Sequence, residues 1–272
     1  MGWELWPAWL LVATIGASIG SFLNVVVYRV PRQISLVYPP SHCPNCKTRL
    51  GPTENIPIFG WLLLRGRCRH CRTPVPIRYP AVETLTMSLF LLCFAVWGLS
   101  WQAVSGALLL SWLVPLALID LETFLLPEEL TRSALAVGFG LRLLLPLLEG
   151  RSGWSEIAAS AIAGIGGAVL GILSLEIVGW IGLVLLGKDA MGGGDGKLLA
   201  AVGMWLGWQA VLVVLFVSCL TGTVGGIATL AIQRQQKWGK PIPFGPYLVL
   251  GSVAALFVGP QLVQWYARLA GF

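Results

Sequence analysis

From Val211 to Ile232 the chain passes through 22 residues without one charged side chain, and apolar runs of similar length recur along it. A helix needs about 20 such residues to cross ~30 Å of hydrocarbon. In lipid each backbone N–H and C=O must be satisfied within the segment, so such runs fold as helices. Only 11% of the 272 residues are charged, where a water-soluble chain carries about 25%. The pattern predicts an all-α polytopic membrane protein of about eight transmembrane helices.

The expected spans are Trp9 to Tyr28, Ala81 to Ser100, Trp101 to Ile119, Leu130 to Leu148, Ile157 to Leu186, Val211 to Ile232 and Tyr247 to Trp265, with a short eighth segment from Leu198 to Trp208. The N-terminus has no basic region ahead of its apolar run and reads as a retained helix, not a signal peptide. Arg142 falls inside the fourth span, where it must snorkel or pair within the bundle. Small residues at Gly167 and Gly171, and at Gly222 and Gly226, are spaced for close helix packing. Three regions follow: 1–28 as a first helix, 29–80 as a loop domain, and 81–272 as a helical membrane core.

The formal charge of +6 is concentrated, not dispersed. Between Arg29 and Tyr79 stand nine bases against one acid, Glu54, an excess larger than that of the whole chain. Basic loops stay on the cytoplasmic side, so this loop is expected there, with both termini outside. The bases around Arg234, Lys237 and Lys240 then also face the cytoplasm, provided the short segment crosses. Topology accounts for the charge, and no nucleic-acid partner is implied.

Within the loop, Cys43 and Cys46 form one C-x-x-C pair and Cys68 and Cys71 a second, with 21 residues between the pairs. Two such knuckles can converge on a tetrahedral four-sulfur site, for which zinc is the fitting metal, with no open position for chemistry. Redox dithiols are the competing reading, disfavoured in a reducing compartment. His42 and His70 flank cysteines and read as solvent-facing. Cys93 and Cys219, in apolar stretches, read as small buried hydrophobes.

Acids number 12 in the chain, so their placement informs. Asp120 ends the apolar run ALID, and Asp195 opens the short segment in MGGGDGKLL, after Gly192, Gly193 and Gly194. Two carboxylates in one partly dry site can share a proton, one acting as base on water and the other as acid. The plainer alternative makes Asp120 a helix-stopping interfacial charge and Asp195 an N-cap. An ion-coupled transporter using both aspartates, and a non-enzymatic scaffold with a metal module, are the readings from other classes. The transporter would need polar residues at midplane, and few are present.

Beyond these residues, the stretches GSFLNVVVYRVP (20–31), ENIP (54–57), RYPAVE (78–83), Ile119-Asp120 with Leu126-Pro127, MGGGDGKLL (191–199) and PFGPY (243–247) stand in order over nearly the full chain. In this set the chain resembles the bacterial prepilin peptidases, bifunctional type IV leader peptidase/N-methyltransferases of the GxGD-type aspartyl proteases. The resemblance implies Asp120 and Asp195 as the catalytic pair, with Gly192, Gly194 and Lys197 as motif-supporting residues. It implies cleavage of the basic leader of prepilins and pseudopilins, after glycine, at the cytoplasmic face of the bacterial inner membrane. These substrates serve type IV pili, type II secretion or competence. It also implies N-methylation of the new terminus, commonly phenylalanine, from S-adenosylmethionine. No nucleotide-binding fingerprint supports that second activity, and a peptidase lacking it is the nearest alternative. Asn24, Glu83, Asp189 and Glu122 are candidates for a substrate or cofactor region. Asp189-Ala190 stand where the family more often has Glu-Gly. The exposed acids Glu122, Glu128 and Glu129 are expected to receive a basic leader, and the arginines to hold anionic lipid headgroups. Oligomeric state is not legible.

Overall fold

The computed structural model describes residues 5–151, 153–187, 192–232 and 243–269. Among them the chain forms α1 (Trp6–Arg29), a short α2 (Phe59–Leu63), α3 (Arg78–Trp97), α4 (Trp101–Thr123), α5 (Glu128–Leu148), α6 (Trp154–Leu186), α7 (Gly193–Leu206), α8 (Trp208–Ile232) and α9 (Gly245–Leu269). Seven are long and apolar enough to cross a membrane. The short eighth segment is α7, whose 14 residues reach only about 21 Å at ~1.5 Å per residue. The basic loop around Arg234, Lys237 and Lys240, like Asp189 and Ala190, lies outside the described residues.

The chain divides into two compact units, Met1–Pro115 and Leu116–Phe272. In the first, α1 packs on α3 through two glycines one helical turn apart. A Cβ on Gly16 would stand 2.9 Å from the Met87 backbone, and one on Gly20 2.7 Å from that of Glu83. Close backbone approach is how helices associate where the surroundings are themselves apolar.

In the second unit α7 packs against α5, α6, α8 and α9, and Leu198, Leu199, Val202, Met204 and Trp205 are buried. Its neighbour α6 meets it at Gly167 and Gly171, as the small-residue spacing predicts: a Cβ on Gly167 would lie 2.3 Å from the Gly203 carbonyl oxygen, and one on Gly171 2.7 Å from that of Leu199. Along α5 the chain runs from a Lys197–Glu128 ion pair of 2.6 Å to the Arg142 Nε, which donates to the Met204 carbonyl at 3.0 Å. Arg142 thus pairs inside the bundle and satisfies a carbonyl of the last α7 turn. Cys93 is buried as expected, but Cys219 is exposed on α8, where an apolar thiol can face lipid.

Candidate active site and metal site

Asp120 sits in the last turn of α4, which runs past the apolar stretch to Thr123 and stops at Phe124, in the left-handed region at φ 55°. The residue is 5% exposed, and its Oδ2 accepts the backbone N–H of Gly245 at 2.9 Å. Asp195 is 9% exposed in the first turn of α7. The structure corrects the N-cap reading: Gly192 is the cap, and Asp195 stands three residues in, its N–H bonded to the Gly192 carbonyl at 3.1 Å. The two aspartates share the second unit, close enough for the charge of Asp120 to act on Asp195.

Neither motif glycine is needed for turning, and Gly194 serves close approach. Gly192 has φ −74°, which any residue adopts. A Cβ on Gly194 would fall 2.9 Å from that of Leu126, so this glycine lets the start of α7 close on the segment after α4. Lys197 is held by Glu128, which also binds Arg132 at 3.0 Å. Glu122 and Glu129 are exposed.

In the first unit, the polar atoms of Asn24 and Glu83 hold backbone. Asn24 is buried and its amide donates to the Tyr79 carbonyl at 3.1 Å. Glu83, 7% exposed, accepts the N–H of Ile58 at 2.6 Å, which fixes a left-handed residue (φ 64°) of the loop.

The four loop cysteines converge, their sulfurs all within 4.8 Å of one another. Cys43 and Cys71 are 3.7 Å apart and Cys46 and Cys68 3.9 Å. A tetrahedral ion with Zn–S bonds of ~2.3 Å sets sulfurs about 3.8 Å apart, so the donor set fits such a metal. Each pair lies on the same knuckle: the first cysteine's N–H bonds the threonine carbonyl five residues on, at 2.9 Å in both, and Lys47 and Arg72 take the left-handed conformation. The knuckles are thus a short repeat, C-x-x-C-(K/R)-T. Its threonines escape a reading confined to the cysteines. The Thr73 hydroxyl pulls the Cys71 thiol down to about 5, and Thr48 lowers Cys46 in the same way. Cys43 goes the other way, up to about 11: the Cys46 amide pulls it down, but burial and the neighbouring sulfurs push harder. Four sulfurs this close cannot all ionise without a cation between them. His42 bonds the Pro40 carbonyl at 2.9 Å and His70 is exposed, and neither joins the cluster.

A model of the bacterial peptidase A24 N-terminal domain matches residues 14–97, and that of the type IV leader peptidase family matches residues 107–227. The prepilin leader peptidase/N-methyltransferase of Aeromonas hydrophila is 39% identical over 286 residues, covering 96% of this chain and 94% of the relative. That of Pectobacterium carotovorum subsp. carotovorum is 39% identical over 94% of this chain and 95% of the relative. That of Pseudomonas aeruginosa is 36% identical over 97% and 94%. No solved structure matches the chain.

Proposed function

We propose that this chain, which belongs to the type IV leader peptidase family, is a membrane aspartyl endopeptidase for prepilins and pseudopilins that also N-methylates the terminus it exposes. The observation that carries the peptidase reading is the buried pair Asp120 and Asp195. With one proton between them, one carboxylate takes a proton from water as its oxygen bonds to the scissile carbonyl carbon. The other gives its proton to the carbonyl oxygen; collapse then breaks the C–N bond and the leaving amine is protonated.

The four cysteines would hold zinc in a structural role, since four thiolates leave no position for substrate. For the second activity, S-adenosylmethionine supplies a methyl group to the new amine. A recess of about 370 Å³ beside α1, lined among others by Ser18, Ser21, Phe22 and Asn55, has the size of a small-molecule site. Its wall offers hydroxyls, an amide and an aromatic face without a carboxylate, and these residues would hold the donor.

The loop and the aspartates are placed at the cytoplasmic face of the bacterial inner membrane, with both termini outside. This needs α7 to be a crossing. Its course along α5 from Glu128 to Arg142 supports that, because it accompanies 14 residues of a full-length span, about 21 Å. The precursor's apolar helix packs from the bilayer while its basic leader meets acids at that face. The acids assigned to it are Glu122, Glu128 and Glu129, of which Glu128 also binds Lys197 and Arg132. The loop arginines are assigned to lipid headgroups.

Purified enzyme in lipid, a pilin precursor and S-adenosylmethionine test this, read by the intact mass of the substrate. Loss of the leader plus one methyl, with cleavage abolished in Asp120→Asn and Asp195→Asn, is expected. Cleavage without the methyl would leave a peptidase alone. An intact precursor with folded wild-type enzyme would overturn the reading.

A further inference from the structure

Among the stretches that carry the resemblance, Pro243–Tyr247 is the one that the chemistry above leaves unused, and its backbone meets Asp120. Phe244 immediately precedes α9: its carbonyl accepts the N–H of Tyr247 at 3.0 Å and of Leu248 at 3.1 Å. The N–H groups of the first helical residues have no partner inside the helix. Pro246, second in α9, has none to offer. Gly245 therefore presents the single unspent amide at this helix end, and it donates to Asp120 Oδ2 at 2.9 Å.

Side-chain size follows the same logic. A Cβ at position 245 would lie 2.6 Å from Oδ2, 3.0 Å from Cγ and 3.3 Å from Cβ of Asp120. Only glycine lets the amide approach this carboxylate. The helix end is itself fixed. Ser218 of α8, fully buried, donates to the Tyr247 carbonyl at 3.0 Å, and Gly251 sits where a Cβ would be 2.7 Å from the Val214 carbonyl oxygen.

Resting on the peptidase reading, we infer that Gly245 is a positioning residue that makes Asp120 the charged member of the pair and so the base that activates water. An N–H points at a lone pair, so Oδ2 stays unprotonated and Oδ1 is the oxygen left to take a proton from water. The positive end of α9 stands beside the resulting charge. Asp195 also has a backbone donor, Gly192 at the start of its own helix, but the charge so placed on Asp120 acts on it, and it keeps the shared proton, which makes it the acid. The remaining charged groups near this end are Glu122 on α4, Lys197 on α7, Glu176 on α6 and Glu128, Glu129 and Arg132 on α5; α8 carries none in its described length, and α9 none before Arg268.

The test reads the amide itself. Labelling with carbonyl-¹³C phenylalanine and ¹⁵N glycine selects Phe-Gly pairs, of which the sequence has three, ending at Gly60, Gly140 and Gly245. In full-length enzyme in detergent, one of the three amide signals should move with pH, change position in Asp120→Asn and lose its pH response there, while Asp195→Asn retains it. Signals unchanged by Asp120→Asn would overturn the inference, and so would a response lost only in Asp195→Asn. Neither result depends on cleavage, so the peptidase reading stands or falls separately. In a second arm, Gly245→Ala should lower kcat on the order of 100-fold, the cost of misplacing a reacting group by about 1 Å, with KM for the precursor kept within about twofold. Gly251→Ala, equally crowded but against Ser218, should lower thermal stability with a much smaller loss of kcat. Equal kcat in the two variants would reduce Gly245 to a packing residue.

Discussion

Adjacent glycines on α6 offer a sharp trial of how α7 is held. A methyl group on Gly167 would enter at 2.3 Å from the Gly203 carbonyl oxygen and 2.8 Å from its carbon, whereas one on Gly166 meets nothing within 4 Å. The atoms struck are backbone, which no rotamer change can move aside. Restoring ordinary contact at about 3.4 Å requires α6 and α7 to part by roughly 1 Å, and a gap of that size forfeits a quarter to a half of each dispersion contact across the seam. Overpacking of this kind costs about 1–3 kcal/mol, and the rigid neighbours put Gly167→Ala toward the upper end. At about 2–4 °C per kcal/mol for a unit of this size, Tm should drop by roughly 5–10 °C.

Function should follow through Asp195, carried on the helix that is displaced. A shift of about 1 Å costs on the order of 100-fold in rate, so kcat for leader removal should collapse beyond what lost stability explains. Gly166→Ala is the matched control. It adds the same methyl to the same helix, gains up to ~1 kcal/mol of helix propensity, and should unfold at or up to about 4 °C above the wild-type temperature and cleave like the wild type. The assay is thermal unfolding in detergent beside cleavage kinetics at a temperature where both variants are folded. Indistinguishable Tm and kcat in the two variants would refute the view that Gly167 sets the α6–α7 distance.

The cysteine site and the loop anchor each give a further expectation. Cys43→Ser should abolish zinc stoichiometry in purified protein and raise hydrogen exchange at the Cys43, Lys47, Cys68 and Arg72 amides by at least ~10³. That corresponds to about 4 kcal/mol, well inside what a structural zinc contributes; protection that survives metal loss would show the knuckles fold without it. Glu83→Ala leaves the Ile58 N–H without its buried acceptor, a cost of about 1–3 kcal/mol, while Glu83→Gln keeps an oxygen in place and should recover most of the stability. Equal destabilisation by the two would mean that the charge, not the hydrogen bond, is what the site uses.

The apolar runs were legible because a bilayer imposes a length on each helix, and seven described helices meet that length. Their ends were less so, since a helix continues past its apolar stretch wherever the next turn can still bond. That is why Asp120 lies inside α4 instead of closing it, and why α7 begins at Gly193, five residues before the expected segment. The spacing of Gly167 and Gly171 announced a real contact, while Gly16 and Gly20, with the same spacing, do as much for α1 and α3. The difference between them is only that glycines are too frequent here for spacing to single out a pair. Side chains that do chemistry have letters, so the cysteines and aspartates stand out in the sequence. A backbone amide has none: the partner of Asp120 is visible only as a glycine before a proline, 125 residues away. Its role becomes readable once the fold shows that the proline silences the neighbouring donor and the glycine makes room. The supporting shell of an aspartyl pair is thus written in residues chosen for what they lack, and a search by chemical side chains passes over them.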